Sequence, residues 1–350
     1  MGYLRFLLAF AVVLHHTPGS PYLFNGGFAV ELFFMISGFY MALVLRKKYA
    51  GKTYEFYTNR LLRLLPTYYL ILAANLLAIL LFNAGEHMTR DALIEGVTGE
   101  HLSALMLTNL TVVGQEWASF MSFGPDGSYF DPAQTGSMPG WKMLLIPQAW
   151  SISIELMFYM LAPFIFSARG IKYIWVLLAI SLACRFAVIG FDLPYNSWAR
   201  RFLPCVLCFF VAGGIVCQVR AKYADLIARI PMWSIVAAIV AFFLLLYKFR
   251  FPGYREYAFV YPVLAVFFAS LLPICFQRLG SKFEELIGDL SFPMYLVHTL
   301  WIGVGEKMIG LDKFGLSAFV VVLTVLSSLL IYHVVDKPLN GFRQRRVVFA

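Results

Sequence analysis

The chain of 350 residues is 61% hydrophobic and only 13% charged, with 34 Phe and 19 Tyr. This composition is too apolar for a water-soluble globule, whose surface must be hydrated, and it predicts a protein that folds in lipid. The formal net charge of +9 does not indicate nucleic-acid binding, because the basic residues lie mainly in short stretches between apolar runs, as in cytoplasmic loops.

Apolar runs long enough to cross a bilayer recur along the chain, since about 20 helical residues span about 30 Å of hydrocarbon. They predict an all-α, polytopic transmembrane helical bundle of about ten spans, forming a single domain over residues 1–350 with no appended soluble domain. The first run alternatively fits a signal peptide, but no small-residue cleavage site follows it, which favours a span. The predicted spans lie near residues 4–22, 27–45, 62–83, 143–167, 171–190, 202–218, 232–248, 257–276, 288–306 and 315–335.

The distribution of basic residues predicts that both termini are cytoplasmic. Five basic residues then fall on the outer side, against the usual bias: Arg200, Arg201, Lys248, Arg250 and Arg255. One long connection, at about residues 84–141, is predicted to be extracytoplasmic, helical in its first half and a loop from Gly124 to Gly140. A lid or acceptor-binding segment and a solvated connector are both open interpretations of it. Its acidic residues are Glu86, Asp91, Glu95, Glu100, Glu116, Asp126 and Asp131.

Ionisable residues inside a span are costly unless they face a partner or water, so they are functional candidates. In the first span, Arg5 and His16 are 11 residues apart, which places them about 20° from each other on one helical face, separated by about 16 Å of rise. These two side chains can contact the two ends of one elongated ligand. Imidazole takes a hydroxyl proton near neutral pH, so His16 is the candidate catalytic base, whereas His15 points about 100° away.

Two further sets of charged residues accompany this face. Glu31, in the second span, can orient His16 and stabilise the protonated imidazole, although a buried carboxylate paired with an arginine is the alternative. Arg60 and Arg63 are three apart at the predicted start of the third span. Two guanidinium forks on one side suit a nucleotide diphosphate, but such basic runs also act as retention signals near anionic lipid.

Polar side chains at helical spacing in the fourth and ninth spans predict a cavity. For the histidine of the ninth span, a second catalytic role and hydrogen-bonded packing are both open. The predicted pocket residues are Ser37, Trp150, Ser151, Glu155, Tyr295 and His298. All five cysteines lie in or beside apolar runs and are predicted to be packing residues. Cys205 and Cys208 have the spacing of half a zinc site, but no second pair accompanies them, so no metal is predicted.

Taken in order, these segments resemble the integral-membrane acyltransferase family 3, whose best-known members O-acetylate exported polysaccharides. The resemblance runs from Arg5 to Pro338. Departures from the family pattern are conservative: Glu31 replaces Asp, Asn59 replaces Arg, Phe292 replaces Tyr and Asp336 replaces Glu. The segments that carry it are RFLLAFAVVLHH, GGFAVELFFMISGF, FYTNRLLRLLPTYY, WSISIELMFYMLAP, LSFPMYLVH and DKPLN.

This resemblance implies a multi-pass O-acyltransferase of the bacterial inner membrane that moves an acyl group, most often acetyl from acetyl-CoA, to a hydroxyl of an exported or cell-surface glycan. It implies His16 as catalytic base, and it assigns Arg5, Arg60 and Arg63 to CoA or the active site. Its implied partners are acyl-CoA, a glycan or lipid-linked saccharide, membrane lipid and polysaccharide-assembly proteins. The resemblance also makes Glu31 and Glu155 pocket residues.

Two classes of protein compete with an enzyme. A lipid-linked glycan flippase or proton-coupled transporter would also need membrane-embedded His and Glu. A silent scaffold or sensor is the third interpretation. The absence of an internal repeat weakens a transporter built from inverted halves, and consumption of a thioester separates the enzyme from both alternatives.

Overall fold

The computed structural model describes residues 1–94, 100–124, 127–136, 138–167, 169–251, 259–309 and 311–348. Each predicted span coincides with a helix. The α-helices are α1 Gly2–His16, α2 Gly26–Lys47, α3 Thr53–Phe82, α4 Arg90–Ile94, α5 Glu100–Thr111, α6 Trp150–Ile165, α7 Ile174–Gly190, α8 Tyr195–Arg201, α9 Leu203–Arg220, α10 Ala224–Arg229, α11 Met232–Lys248, α12 Tyr261–Arg278, α13 Lys282–Val304, α14 Lys313–Ile331 and α15 Lys337–Val348. Shorter 3-10 and π turns connect several of them.

The prediction of an all-α transmembrane bundle is confirmed. Within the described ranges, seven helical segments are long and apolar enough to cross a membrane. Helices α1 and α11 are apolar but shorter, with 15 and 17 residues. Helix α13 carries Glu284, Glu285 and Asp289 in its first turns, which lowers its hydropathy. Ten spans and cytoplasmic termini stay predictions.

Several helix boundaries differ from the predicted ones, those of α1 and α3 among them. Helix α3 begins at Thr53, about nine residues before the expected start, because the polar segment preceding the apolar run is itself helical. Helix α1 ends at His16, where the hydroxyl of Thr17 donates to the Val13 carbonyl at 2.7 Å and Pro18 and Gly19 follow. The next helix is capped by Asn25, whose side chain accepts from the Phe28 amide at 3.2 Å.

Helices α2 and α9 cross at two glycines. A Cβ atom on Gly38 would lie 1.9 Å from the Phe210 carbonyl oxygen, and one on Gly213 would lie 1.9 Å from that of Met35. Small residues let membrane helices approach this closely, and dispersion contacts then hold the pair together. The crossing buries α2 in the bundle, so the polar groups of α2 need protein partners or cavities.

The predicted loop from Gly124 to Gly140 is partly ordered as a small antiparallel sheet, which corrects that prediction. Strand β1, Met121–Gly124, lies between β2, Gly127–Phe130, and β3, Met138–Pro139, in the order β2-β1-β3. The first half of the connection contains α4 and α5, as predicted, with residues 95–99 outside the described residues.

Asp131 holds this sheet to the turn that follows it. Its carboxylate accepts from the Ser122 hydroxyl at 2.7 Å and from the Gly136 amide at 2.8 Å. Three acidic or basic residues named above, Glu95, Asp126 and Arg255, lie outside the described residues.

The bundle has two ends that differ in charge. We call the end with Arg46, Lys47 and the start of α3 the basic face, and the end with the connection at residues 83–149 the loop face. Helix α1 runs between them, from Arg5 at the basic face to His16 at the loop face.

Candidate active site

Three cavities lie in series between the two faces. We call them the basic cavity, about 230 Å³, the middle cavity, about 80 Å³, and the loop chamber, about 560 Å³. Adjacent cavities share wall residues, so the three lie end to end, and we call this series the route. The basic and middle cavities share Arg5, Tyr40, Arg63 and Phe292. The middle cavity and the loop chamber share Val30 and Tyr295.

The basic cavity brings three guanidinium groups together. Arg5 and Arg63, both predicted from the sequence, are joined by Arg343 from α15. Asp289 and Asp336 lie on the same wall, and Arg5 Nη1 is 3.9 Å from Asp289. Arg343 was not among the site residues predicted from the sequence, although the basic run near the end of the chain was a signal for it. This cavity is a candidate site for the phosphates of a nucleotide.

Arg60 does not lie on that wall. It is 6% exposed, and its guanidinium carbon lies 5.7 Å from the ring centre of Phe56 and 5.9 Å from those of Tyr49 and Tyr159. The two arginines that the sequence placed on one surface therefore diverge. Arg63 lines the cavities, whereas Arg60 is held in an aromatic cluster by cation–π contacts.

The middle cavity is a narrow polar neck. The Ser37 hydroxyl donates to the Glu155 carboxylate at 2.7 Å, and the Tyr159 hydroxyl donates to the same oxygen. On the other side, the hydroxyls of Ser151 and Tyr295 are 2.8 Å apart. Four of the predicted pocket residues, Ser37, Ser151, Glu155 and Tyr295, thus line this neck.

The volume of the loop chamber is within the range of small-molecule binding sites, about 300–1,000 Å³. His16 lines it and is exposed. Its Nδ1 lies 2.9 Å from the Val12 carbonyl oxygen, which accepts hydrogen bonds and cannot donate them, so Nδ1 carries the proton and Nε2 has the lone pair. The geometry leaves His16 chemically competent to accept a proton within the chamber.

His298 lies behind His16. The two ring centres are 5.2 Å apart, and His298 is fully buried, donating from Nδ1 to the Met294 carbonyl at 3.3 Å. It is not among the residues that line the three cavities. The structure therefore places this predicted pocket residue in contact with His16 and away from the chamber wall.

Glu31 is paired with arginine. Its side chain is fully buried and accepts from Arg185 Nη2 at 2.6 Å, while Arg200 Nε lies 3.9 Å away. Among the described contacts, none joins Glu31 to His16, so the predicted carboxylate–imidazole pair is not what the structure holds. The alternative interpretation, a buried carboxylate paired with an arginine, matches the geometry. Arg185 in mid-span was the available signal, since a buried charge needs a partner.

The wall of the chamber contains residues that sequence reasoning missed. Glu86 and His87 follow the end of α3, and Glu86 Oε1 lies 3.4 Å from His87 Nε2. Burial, with a smaller contribution from Glu306, raises the pKa of Glu86 to about 8. Burial lowers the pKa of His87 to about 4. Both groups are therefore largely uncharged at neutral pH.

The cysteines are free thiols, four of them buried. Cys208 Sγ donates to the Cys205 carbonyl at 3.3 Å, so this pair makes a local helical contact. In the part of the chain that the structure describes, no group of three or more His, Cys, Asp or Glu is arranged to hold a metal ion.

Comparison with known proteins points to one family. The family model described as an acyltransferase domain matches residues 1–333. The chain is 26% identical to the putative peptidoglycan O-acetyltransferase YrhL of Bacillus subtilis strain 168 over 92% of its own length, and it covers 52% of that protein. It is 27% identical to the exopolysaccharide production protein ExoZ of Rhizobium meliloti strain 1021, with 92% of each chain covered. The chain thus spans about half the length of the B. subtilis relative. No solved structure matches it.

Proposed function

Because the chain belongs to the acyltransferase family whose model matches residues 1–333, we propose that it is a membrane-embedded O-acyltransferase. It takes an acyl group, acetyl in the first instance, from acyl-CoA at the basic face and transfers it to a glycan hydroxyl at the loop face. One observation carries the proposal: cavities with shared walls connect an arginine cluster at one face with His16 at the other.

The basic cavity is suited to the nucleotide end of CoA. Arg5, Arg63 and Arg343 present guanidinium groups, which bind phosphate oxygens bidentately. Asp289 and Asp336 limit the excess positive charge there, which favours release of CoA after turnover. The slender pantetheine arm then extends through the middle cavity and brings the thioester toward His16.

His16 Nε2 removes the proton from the acceptor hydroxyl, and the oxygen attacks the thioester carbonyl. An ester C–O bond forms, the C–S bond breaks, and the leaving thiolate takes up the proton. A transient acyl-imidazole on His16 would use the same residue and the same route. The Val12 carbonyl holds the ring in the tautomer that either route requires.

The names of the relatives, a putative peptidoglycan O-acetyltransferase and an exopolysaccharide production protein, support the proposal that the acceptor is a glycan. Since acetyl-CoA is made in the cytoplasm and such acceptors are exported, we infer that the loop face lies outside and that the membrane is the bacterial plasma membrane. Polysaccharide-assembly proteins would then supply the glycan.

Membrane vesicles from the source cells, which contain the native acceptor, provide the test. With radiolabelled acetyl-CoA, we expect label in envelope glycan and release of free CoA thiol. His16→Ala should lower both by at least about 100-fold, the usual contribution of a general base, while CoA still binds. The matched control is His333→Ala. His333 makes the same kind of backbone hydrogen bond, to Leu329 at 2.9 Å, and is likewise exposed, but it lines none of the three cavities.

Near-normal transfer by His16→Ala would show that another residue is the base. Wild-type protein that moves glycan without consuming thioester would instead favour the flippase or transporter.

A further inference from the structure

The loop chamber has more positive than negative charge. Among the described residues, Arg200 and Arg201 line it, and the carboxylate of Glu31 lies against Arg185 and Arg200. Among the described residues, Arg201 has no ion-pair partner within 4.0 Å. Among the described ion pairs, Glu31 is thus engaged by Arg185 and Arg200 and does not reach Arg201.

The one carboxylate among the described residues on the chamber wall does not correct this imbalance. Glu86 has a side chain that is 13% exposed, and its pKa is raised to about 8. At neutral pH the carboxyl is mostly protonated. The other described polar groups on the wall are amides, a hydroxyl, a phenol and imidazoles.

Arg201 packs against an aromatic ring and has one N–H group without a described hydrogen-bond partner. Its guanidinium carbon lies 4.9 Å from the ring centre of Trp150, and Nη1 donates to the Asn196 carbonyl at 3.3 Å. Its Nε has no hydrogen-bond partner among the described residues. Burial, followed by the nearby Arg200, lowers the pKa of Arg201 to about 10, which still leaves it charged at neutral pH.

Arg200 is fixed beside it. Its two terminal nitrogens donate to the side-chain oxygens of Asn196 at 2.8 Å and Asn25 at 2.7 Å. A Cβ atom on Gly27 would lie 2.6 Å from the guanidinium carbon, so the glycine makes room for this arginine. Keeping two like charges next to each other in a buried wall is unfavourable unless an anion joins them.

We propose that Arg201, with Arg200 beside it, forms a subsite in the loop chamber for an anionic group, a carboxylate or a phosphate, carried by the acceptor glycan. The inference rests on the proposed function and names the class of acceptor as an acidic sugar. Guanidinium forks match the two oxygens of such a group. Trp141 and Trp150 on the same wall offer ring surfaces against which the C–H face of a sugar can pack.

The test compares probes with and without an anionic group. Full-length protein in lipid nanodiscs is titrated with oligogalacturonate, with its methyl ester, which has the same hydroxyls, and with inorganic phosphate, and binding is followed by thermal stabilisation. We expect oligogalacturonate to bind at least about 10-fold more tightly than its ester, as for a charge-assisted hydrogen bond. Tighter binding of phosphate than of oligogalacturonate would assign the subsite to a phosphate-bearing acceptor.

Variants test whether Arg201 is responsible for the preference for the anionic probe. Arg201→Gln should remove the preference for the anionic probe, and Arg201→Lys should keep part of it, because the charge remains but the fork is lost. The matched control is Arg250→Gln, which removes a loop-face arginine that stacks on Tyr247 and is not among the described chamber residues. Unchanged CoA binding at the basic face shows that a variant is folded.

Equal responses to the charged and neutral probes, including no response to either, would overturn the proposal. The same holds if Arg201→Gln lowers kcat for acidic and neutral acceptors alike, since that would mean stabilisation of the reaction itself. Neither result affects the proposed acyl transfer, because thioester consumption is measured separately with the native acceptor.

Discussion

Replacing Arg63 and Arg60 by glutamine should have different consequences. Arg63 lines both the basic and the middle cavity, so Arg63→Gln removes a fork aimed at the donor. A hydrogen bond between charged groups contributes about 1.5–3 kcal/mol, which predicts a CoA Kd raised about 10-fold to 100-fold. The stability of the empty protein should change little.

Arg60→Gln should instead destabilise the fold. The substitution removes contacts with three rings, those of Tyr49, Phe56 and Tyr159, at 5.7–5.9 Å in a buried cluster. Each cation–π contact contributes about 0.5–2 kcal/mol, and one guanidinium cannot optimise all three, so we expect a loss of about 1–3 kcal/mol. Affinity for CoA should stay within about 2-fold of wild type, a change of about 0.4 kcal/mol.

Two measurements on protein in nanodiscs separate the effects: calorimetric titration with CoA and thermal unfolding without it. Arg46→Gln is the control, because Arg46 is an exposed arginine of the basic face that lines none of the three cavities. The reasoning is refuted if Arg60→Gln weakens CoA binding as much as Arg63→Gln while leaving the melting temperature unchanged. The two arginines would then act as the tandem pair that their spacing suggested.

Three other predictions concern stability. Burial raises the pKa of Glu86 from 4.5 to about 8, so the folded state binds the proton more tightly than the unfolded state does. The stability of the fold should therefore fall as pH rises from 4.5 toward 8, and Glu86→Gln should flatten this slope in thermal melts. Arg185→Met leaves Glu31 buried without its 2.6 Å partner and should lower the free energy of unfolding by about 3–5 kcal/mol. Adding Glu31→Gln should restore most of that stability in denaturant titrations. Gly38→Ala would put a Cβ 1.9 Å from the Phe210 carbonyl oxygen and should cost about 1–3 kcal/mol, whereas unchanged stability would mean that α2 and α9 can separate freely.

The helices were predictable because they depend on local composition. Each apolar run became a helix, and the spacing within α1 placed Arg5 and His16 at the two ends of the route. The partners of charged residues were not predictable, since they come from distant parts of the chain. Glu31 and Arg185 are separated by 154 residues, and no periodicity in either segment indicates the other.

Spacing along a helix also gave wrong predictions for side chains whose direction depends on their surroundings. Residues three apart on a helix are neighbours but point about 60° apart, which is enough for Arg60 to enter an aromatic cluster while Arg63 faces a cavity. Arg200 and Arg201, which oppose the charge bias for cytoplasmic loops, belong to α8 and line the chamber. Arginines with such a structural role carry little information about orientation.

The size of the middle cavity bears on the choice between an enzyme and a glycan transporter. At about 80 Å³ it has roughly a seventh of the space of the loop chamber, about 560 Å³, and the Ser37–Glu155 hydrogen bond on its wall joins α2 to α6. Passage of a saccharide would require these helices to separate and this buried polar contact to break, at a cost that desolvated hydrogen bonds make large. A thin acyl-bearing arm needs no such opening. The arrangement therefore favours a reaction in which a small group crosses the bilayer while its donor and acceptor each stay on their own side.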